Sequence, residues 1–177
     1  MALKATIYKA ELEIVDMDRN YYATHRLTLA CHPSETNERL MIRLLAFALN
    51  AHERLEFGKG ISDSDEPDLW RKDLTGTIEL WIELGHPDEK SLAKAIGRSP
   101  RVIVYTYSAN PDRWWDLIKQ RFDGERKLSV FHVNAGSAKD LARMACPTMN
   151  LQCSIQDGEI WFRDDKDGAV QVEMGEA

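Results

Sequence analysis

Between Thr77 and Gly85 the chain alternates strictly, with Ile78, Leu80, Ile82 and Leu84 set against Glu79, Trp81 and Glu83. Side chains on a strand point to opposite faces with period two, so this run predicts a strand with two carboxylates sharing one face. Lys4 to Val15 and Tyr21 to Cys31 are also β-rich, and the polar cluster Asp16-Met17-Asp18-Arg19-Asn20 between them predicts an N-terminal hairpin. The period then changes. From Pro33-Ser34, the residues Met41, Leu44, Leu45, Ala48 and His52 recur at three- and four-residue spacing, which predicts a long helix ending before Gly58 and Gly60.

The second half alternates helix and strand signals. Pro87-Asp88-Glu89 forms an acidic first turn and Gly97 a stop, giving a short helix. Arg101 to Tyr107 reads as a strand. Asn110-Pro111 is a cap followed by proline at the first helical position, predicting a helix to about Phe122. Leu128 to Val133 returns as a strand, and Ser137 with Asp140 predicts a helix capped at Ser137 and running to about Ala145. Met149 to Gln156 and Glu159 to Arg163 flank Asp157-Gly158, a strong hairpin signal. The sum is an α/β (α+β) domain with a mixed sheet flanked by helices. No repeat or linker divides it, so residues 1–177 read as one domain, with an acidic, loosely held tail from about residue 164.

Composition narrows the function classes. At 177 residues, 44% hydrophobic and 29% charged, the chain has enough apolar side chains for a sizeable core. No apolar run approaches the roughly 20 residues of a membrane helix, and the N-terminus has no secretory h-region, so a cytoplasmic protein is expected. Cys31, Cys146 and Cys153 are odd in number and lack CxxC spacing, which argues for buried free thiols over disulfides or structural zinc. The net charge is -6, but five acids lie from Asp164 onward, leaving 22 basic against 24 acidic side chains before it. Between Gly97 and Lys127 stand seven Lys or Arg against four acids, either a phosphate-facing surface or an ordinary solvated face.

The acids suggest chemistry. Pro67-Asp68, opened by Asp63, Asp65 and Glu66, precedes the alternating strand, so Asp68 can meet Glu83 across a hairpin as a candidate metal site. Glu38 lies three residues before Met41 and seven before Leu45, in line with the apolar stripe. It is either an inward-pointing acid or one placed for the helix dipole. His52 reads as a core histidine, and His86 as a proton-transfer candidate or a loop histidine. Trp70, Trp81, Trp114 and Trp115 fit core anchoring better than base stacking, although Trp114 and Trp115 cannot both face inward on one helix. No P-loop, Gly-x-Ser-x-Gly, His-Glu-x-x-His or dinucleotide motif is present.

Several strings resemble the YaeQ family: Arg43 to Leu49, Asp65-Glu66-Pro67-Asp68-Leu69-Trp70, Asp73-Leu74-Thr75-Gly76 running into Ile78 to Ile82, and Pro87-Asp88-Glu89-Lys90. The resemblance covers nearly the whole chain. It implies a variant of the PD-(D/E)XK restriction-endonuclease-like core, in which Pro67-Asp68 stands at the metal-binding aspartate and Glu83 at the second acid. Asp68, Glu83 and the Leu84 carbonyl are then the expected ligands for Mg²⁺ or Mn²⁺, and Glu38 a further acid. Gly85 occupies the position of the usual lysine. Lys90 and Lys94, on one helical face, and Lys72 are candidate replacements, each of them equally readable as a solvated surface lysine. Two functions follow: a metal-dependent phosphodiesterase acting on nucleic acid, or a non-catalytic, nuclease-derived protein that binds nucleic acid or a protein partner.

Overall fold

The computed structural model describes residues 4–177, so residues 1–3 of the expected single-domain span lie outside the described residues. The strands are β1 Thr6–Asp16, β2 Tyr21–Cys31, β3 Leu55–Phe57, β4 Leu69–Lys72, β5 Ile78–Leu84, β6 Val102–Thr106, β7 Leu128–Val133, β8 Thr148–Gln156, β9 Glu159–Asp164, β10 Ala169–Val172 and β11 Met174–Glu176. The helices are α1 Asn37–Leu49, α2 Glu89–Arg98, α3 Pro111–Ile118 and α4 Ala135–Ala142. The class is mixed α+β. The one mixed sheet expected from the sequence is in fact two, ordered β10-β9-β8-β1-β2 and β11-β7-β6-β5-β4-β3.

The chain forms two compact units, residues 1–48 with 136–173, and residues 49–135 with 174–177. In the first, β1 and β2 form the expected antiparallel hairpin, and β8 joins β1 in parallel. The turn is tied by Arg19, whose Nε meets the buried Asp16 carboxylate at 2.6 Å, and Asn20 supplies a positive φ of 55°. The β8–β9 hairpin turns on Asp157 and Gly158, both at positive φ, as an Asp-Gly pair permits. Inward residues Leu12, Ile14, Met149, Leu151, Cys153, Ile160 and Phe162 alternate with solvated ones.

Helix α1 is buried without a break from Leu40 to Ala48, Arg43 included. That guanidinium is matched by Glu35, with Nε–Oε1 and Nη2–Oε2 both 2.8 Å, and donates to the Ala30 carbonyl at 3.1 Å. A buried charge persists when it is paired in this way. The helix stops at Leu49, well short of the expected end. His52 therefore lies outside it and accepts the Arg54 amide on Nδ1 at 3.0 Å. Ser137 does not cap α4 either. It sits inside that helix, where its hydroxyl accepts the Glu173 amide and donates to the Gln171 carbonyl.

The tail is also corrected, because residues after Asp164 are ordered as strands. β10 pairs with β9, and β11 pairs with β7. Asp164 makes the intervening turn by accepting the Lys166 and Gly168 amides at 3.0 and 2.6 Å.

The second unit carries a parallel run, β5, β6 and β7, with α2 and α3 as its crossovers, extended by the antiparallel β4 and β3. Trp81, Ala95 and Val102 pack as one core cluster, with Leu92, Val104 and Val130 as a second. The first cluster packs α2 against Trp81 of β5, while Glu79 and Glu83 on the same face stay half-buried. Among the described residues, no helix is long and apolar enough to cross a membrane.

Candidate functional site

Asp68 stands just before β4, and the pairing of Leu69 with Ile82 sets it beside Glu83 near the end of β5. Its amide donates to the Ile82 carbonyl at 3.1 Å, while its Oδ2 accepts the Leu84 amide at 2.9 Å. The carboxylate thus lies against the peptide link that joins Glu83 to Leu84. The hairpin sets Asp68 against the backbone of β5 at this point. Asp68 is only 2% exposed.

What covers Asp68 on one side is backbone. Gly60 has φ +50°, and a Cβ built on it falls far inside van der Waals contact with Asp68 Oδ1. A Cβ on Gly58 would likewise collide with the Pro67 carbonyl. The amides of Gly58 and Gly60 donate to the carbonyls of Asp68 and Pro67 at 3.0 and 3.2 Å. Only glycine admits so close an approach.

Glu83 is half-buried, and its Oε1 accepts the indole N–H of Trp81 at 2.8 Å. The two residues share a face, as alternation requires. Glu79, on the same side of β5, is held by Arg71 and Arg54 at 2.9 and 3.3 Å. Two carboxylates and the Leu84 carbonyl are hard oxygen donors of the kind Mg²⁺ or Mn²⁺ prefers, so the donor chemistry fits those ions. Among the described residues, however, no group of three or more His, Cys, Asp or Glu side chains comes together as a metal site.

Gly85 follows with φ +85° and open space around its Cα. Lysine at this position would need the left-handed backbone region that L side chains seldom adopt. The candidate replacements are placed as follows. Lys94 forms an ion pair with Asp65 and donates to the Ser64 carbonyl at 3.1 Å. Lys72 lies over the Trp70 ring, its Nζ 3.7 Å from the centroid. Lys90 is exposed in the first turn of α2. Glu38 is half-buried in the first turn of α1 and belongs to the first unit, whereas Asp68, Glu83 and Leu84 belong to the second.

Sequence reasoning singled out His86 but missed the group around it. The C-terminal ends of β5, β6 and β7 bring together His86, Ser108, Thr106 and His132. His86 Nε2 lies 3.1 Å from Ser108 Oγ, and His132 Nδ1 lies 2.5 Å from Thr106 Oγ1. The His86 ring stacks on Trp114 at 5.2 Å between centroids and 4° between planes. Burial, and secondarily the positive potential of His132, hold the His86 imidazole below its ordinary value. Both Trp114 and Trp115 pack against the Leu92, Val104 and Val130 cluster, with Trp114 donating to the Pro87 carbonyl at 3.0 Å. The expected split of this tryptophan pair does not occur, and it is Leu117, 80% exposed, that α3 turns outward. The sequence signal for the histidine group was slight: Thr106 closes β6, His132 is the last residue but one of β7, and His86 lies two residues beyond the end of β5.

The basic stretch is partly neutralised within the protein. Arg121 pairs with Glu89, Lys119 with Asp116, and Arg98 and Lys127 donate to the Asp65 and Ile96 carbonyls.

Comparison with known proteins agrees with this architecture. The YaeQ protein family model matches residues 1–174. The YaeQ proteins of Salmonella typhi and Escherichia coli K12 are each 46% identical, over 93% and 94% of this chain and 91% and 92% of their own. The crystal structure of YaeQ protein from Xanthomonas axonopodis pv. citri superposes with a TM-score of 0.92 at 47% identity, covering 97% of both chains. That from Pseudomonas syringae gives 0.92 at 33% identity, covering 97% of this chain and 95% of its own. With matches spanning nearly its full length in sequence and in structure, the chain belongs to the YaeQ family.

Proposed function

We propose that the chain is a nuclease-derived binding protein: a PD-(D/E)XK-like core whose Asp68–Glu83 corner persists while its work is to hold a protein partner. The core is supported by the mixed sheet of the second unit, antiparallel through β3, β4 and β5 and then parallel to β6 by way of α2, since the resemblance implies a mixed sheet flanked by helices. The observation that carries the non-catalytic reading is Gly85, whose left-handed backbone takes the place where the superfamily needs a lysine to position water. Of the candidate replacements, Lys94 is engaged by Asp65 and Lys72 by Trp70, while Lys90 is exposed in the first turn of α2. A protein partner fits better than nucleic acid because the chain carries a net charge of -6 and four of the seven basic residues between Gly97 and Lys127 already bond within the protein.

The second reading, a Mg²⁺- or Mn²⁺-dependent phosphodiesterase, is favoured by the seating of the Asp68 carboxylate against the Glu83–Leu84 peptide. In it Asp68, Glu83 and the Leu84 carbonyl would hold the ion, with Lys90 as the replacement cation. Such an ion polarises a phosphoryl oxygen and acidifies a bound water. The deciding experiment incubates wild type, Asp68→Asn and Glu83→Gln with single-stranded, double-stranded and branched DNA and with RNA in Mn²⁺, beside calorimetric titration of each protein with Mn²⁺ and Mg²⁺. We expect intact substrates throughout and no mobility shift. Cleavage by wild type that both folded variants lose establishes the phosphodiesterase and defeats the binding reading.

A further inference from the structure

The segment from Gly58 to Pro67 leaves β3, doubles back through a 3₁₀ turn at Gly60–Ser62, and returns to Asp68. It is closed at its base by the Gly58 and Gly60 amides on the carbonyls of Asp68 and Pro67, and across its middle by the Lys59 amide on Glu66 Oε2 at 2.9 Å. Its tip is bound by a different element. From α2, Lys94 pairs with the Asp65 carboxylate and donates to the Ser64 carbonyl at 3.1 Å, and Arg98 donates to the Asp65 carbonyl at 3.3 Å. Two cations one turn apart on one helix therefore hold two consecutive residues of the loop.

What lies beneath gives this contact a consequence. Gly60 rests directly on Asp68 Oδ1. The carboxylate that the sequence marks as a ligand is thus covered by a segment whose attachment to α2 is an exposed ion pair, with Asp65 71% accessible. Such pairs are weak and screened by salt. The base of the segment is backbone hydrogen bonding and the tip is electrostatic, so the tip is the part that opens first.

We infer that residues 58–67 are a strap latched by Lys94 and Arg98 over Asp68, and that releasing the latch opens the Asp68–Glu83 corner to a divalent cation. This rests on the corner keeping metal-ligand chemistry, which the phosphodiesterase reading requires and the binding reading permits. The strap explains, by a contact outside the corner itself, why an acid set against the Glu83–Leu84 peptide is shut from solvent.

The test uses the full chain with Lys94→Met and Asp65→Asn, each removing one side of the latch at exposed positions. Amide hydrogen exchange, followed by mass spectrometry, is expected to speed up about two- to fivefold in residues 58–67 and at Leu84, whose amide Asp68 holds, with β6 and β7 unchanged. Mn²⁺ affinity measured by calorimetry is expected to rise by the same factor, to fall with added salt more steeply than in wild type, where salt also loosens the latch, and to vanish when Asp68→Asn is combined with Lys94→Met. Unchanged exchange in both variants overturns the strap. Faster exchange spread evenly over the second unit also overturns it, since that signals general loosening. Faster local exchange without any Mn²⁺ binding overturns the cation-access half and with it the metal chemistry of the corner, while the opening itself is registered by exchange alone, so the two failures are told apart.

Discussion

Replacing Asp68 by alanine removes a buried acceptor from the end of the β4–β5 hairpin. The Leu84 amide then loses its 2.9 Å partner in a place where the carboxylate itself is 2% exposed. A hydrogen bond to a charged group contributes about 1.5–3 kcal/mol, and a buried N–H left without a partner costs about 1–3 kcal/mol on the same scale. These overlap and do not add in full, so the expected loss is about 2–4 kcal/mol. Asp68→Asn keeps an oxygen of the same reach and the same shape against Gly60, and its loss is expected near 1 kcal/mol. Urea unfolding followed by tryptophan fluorescence and by circular dichroism separates them. With a denaturant slope of about 2 kcal/mol/M, alanine lowers the midpoint by about 1–2 M and asparagine by about 0.5 M. Equal losses for the two variants refute the reasoning, because the fold then needs the charge and not the acceptor. A loss below about 0.5 kcal/mol for alanine refutes it from the other side, since Leu84 then finds another partner without cost. The comparison also qualifies Asp68→Asn as the control for metal titration.

Gly60→Ala and Gly85→Ala both place an L side chain at positive φ, but only the first meets Asp68. Both pay roughly 1 kcal/mol of backbone strain, and Gly60→Ala is expected to lose about 1–3 kcal/mol more in the same urea assay. His86 has its imidazole pKa lowered by burial and by His132, so in the folded protein it stays neutral to a lower pH than in the unfolded chain. Its contribution to stability is therefore present above the ordinary imidazole value and is lost as pH falls through the folded value. An NMR titration of its Cε1–H is expected to show a midpoint below about 6.5 that moves up in Trp114→Ala. Cys153 is buried and its thiol is pushed up to about 12, chiefly by burial, whereas Cys146 is half-exposed. Iodoacetamide at pH 8 is expected to label Cys146 in the native protein and Cys153 only after unfolding, read by peptide mass. Arg43→Met removes the two-point partner of the buried Glu35 carboxylate but leaves Arg39 at 3.3 Å, and is expected to cost about 1.5–3 kcal/mol by thermal or urea unfolding.

The parts of this fold that local chemistry decides were legible in the sequence. Alternation in Ile78–Leu84 is strict enough to fix both faces of β5, and Asp157-Gly158 can hardly be anything but a tight turn. The start of the second helix was legible only to within a residue or two, since the sequence puts Pro87 and Asp88 in its first turn whereas α2 begins at Glu89 and Asp88 caps it through the Ser91 amide at 2.7 Å. The end of α1 was not legible, because His52 continues the helical spacing past the true stop at Leu49. Next along the chain, Asn50 instead donates to the Tyr105 hydroxyl at 2.8 Å, a contact made across much of the sequence. The strands β10 and β11 were hidden for a similar reason. An acidic stretch with short apolar runs has little strand preference of its own, and it becomes strand by pairing with β9 and β7.

The candidate site divides along the same line. That Asp68 lies against the Glu83–Leu84 backbone follows from a hairpin whose turn, Asp73 to Thr77, is written into the sequence by an aspartate that accepts the Thr75 and Thr77 amides. That Asp68 is covered does not follow from any local pattern, because the covering atoms belong to Gly60 and the hold on them to Lys94 and Arg98 of another element. The sequence suggested Lys94 as a cation that reaches back to the acids of the site, and it does reach back, though to Asp65 on the strap. A lysine committed there cannot also position water at Glu83, so any hydrolytic role for it requires the strap to open first. Gly85 makes the same demand on the reaction from the other end, since its backbone excludes the residue that would act without such a movement.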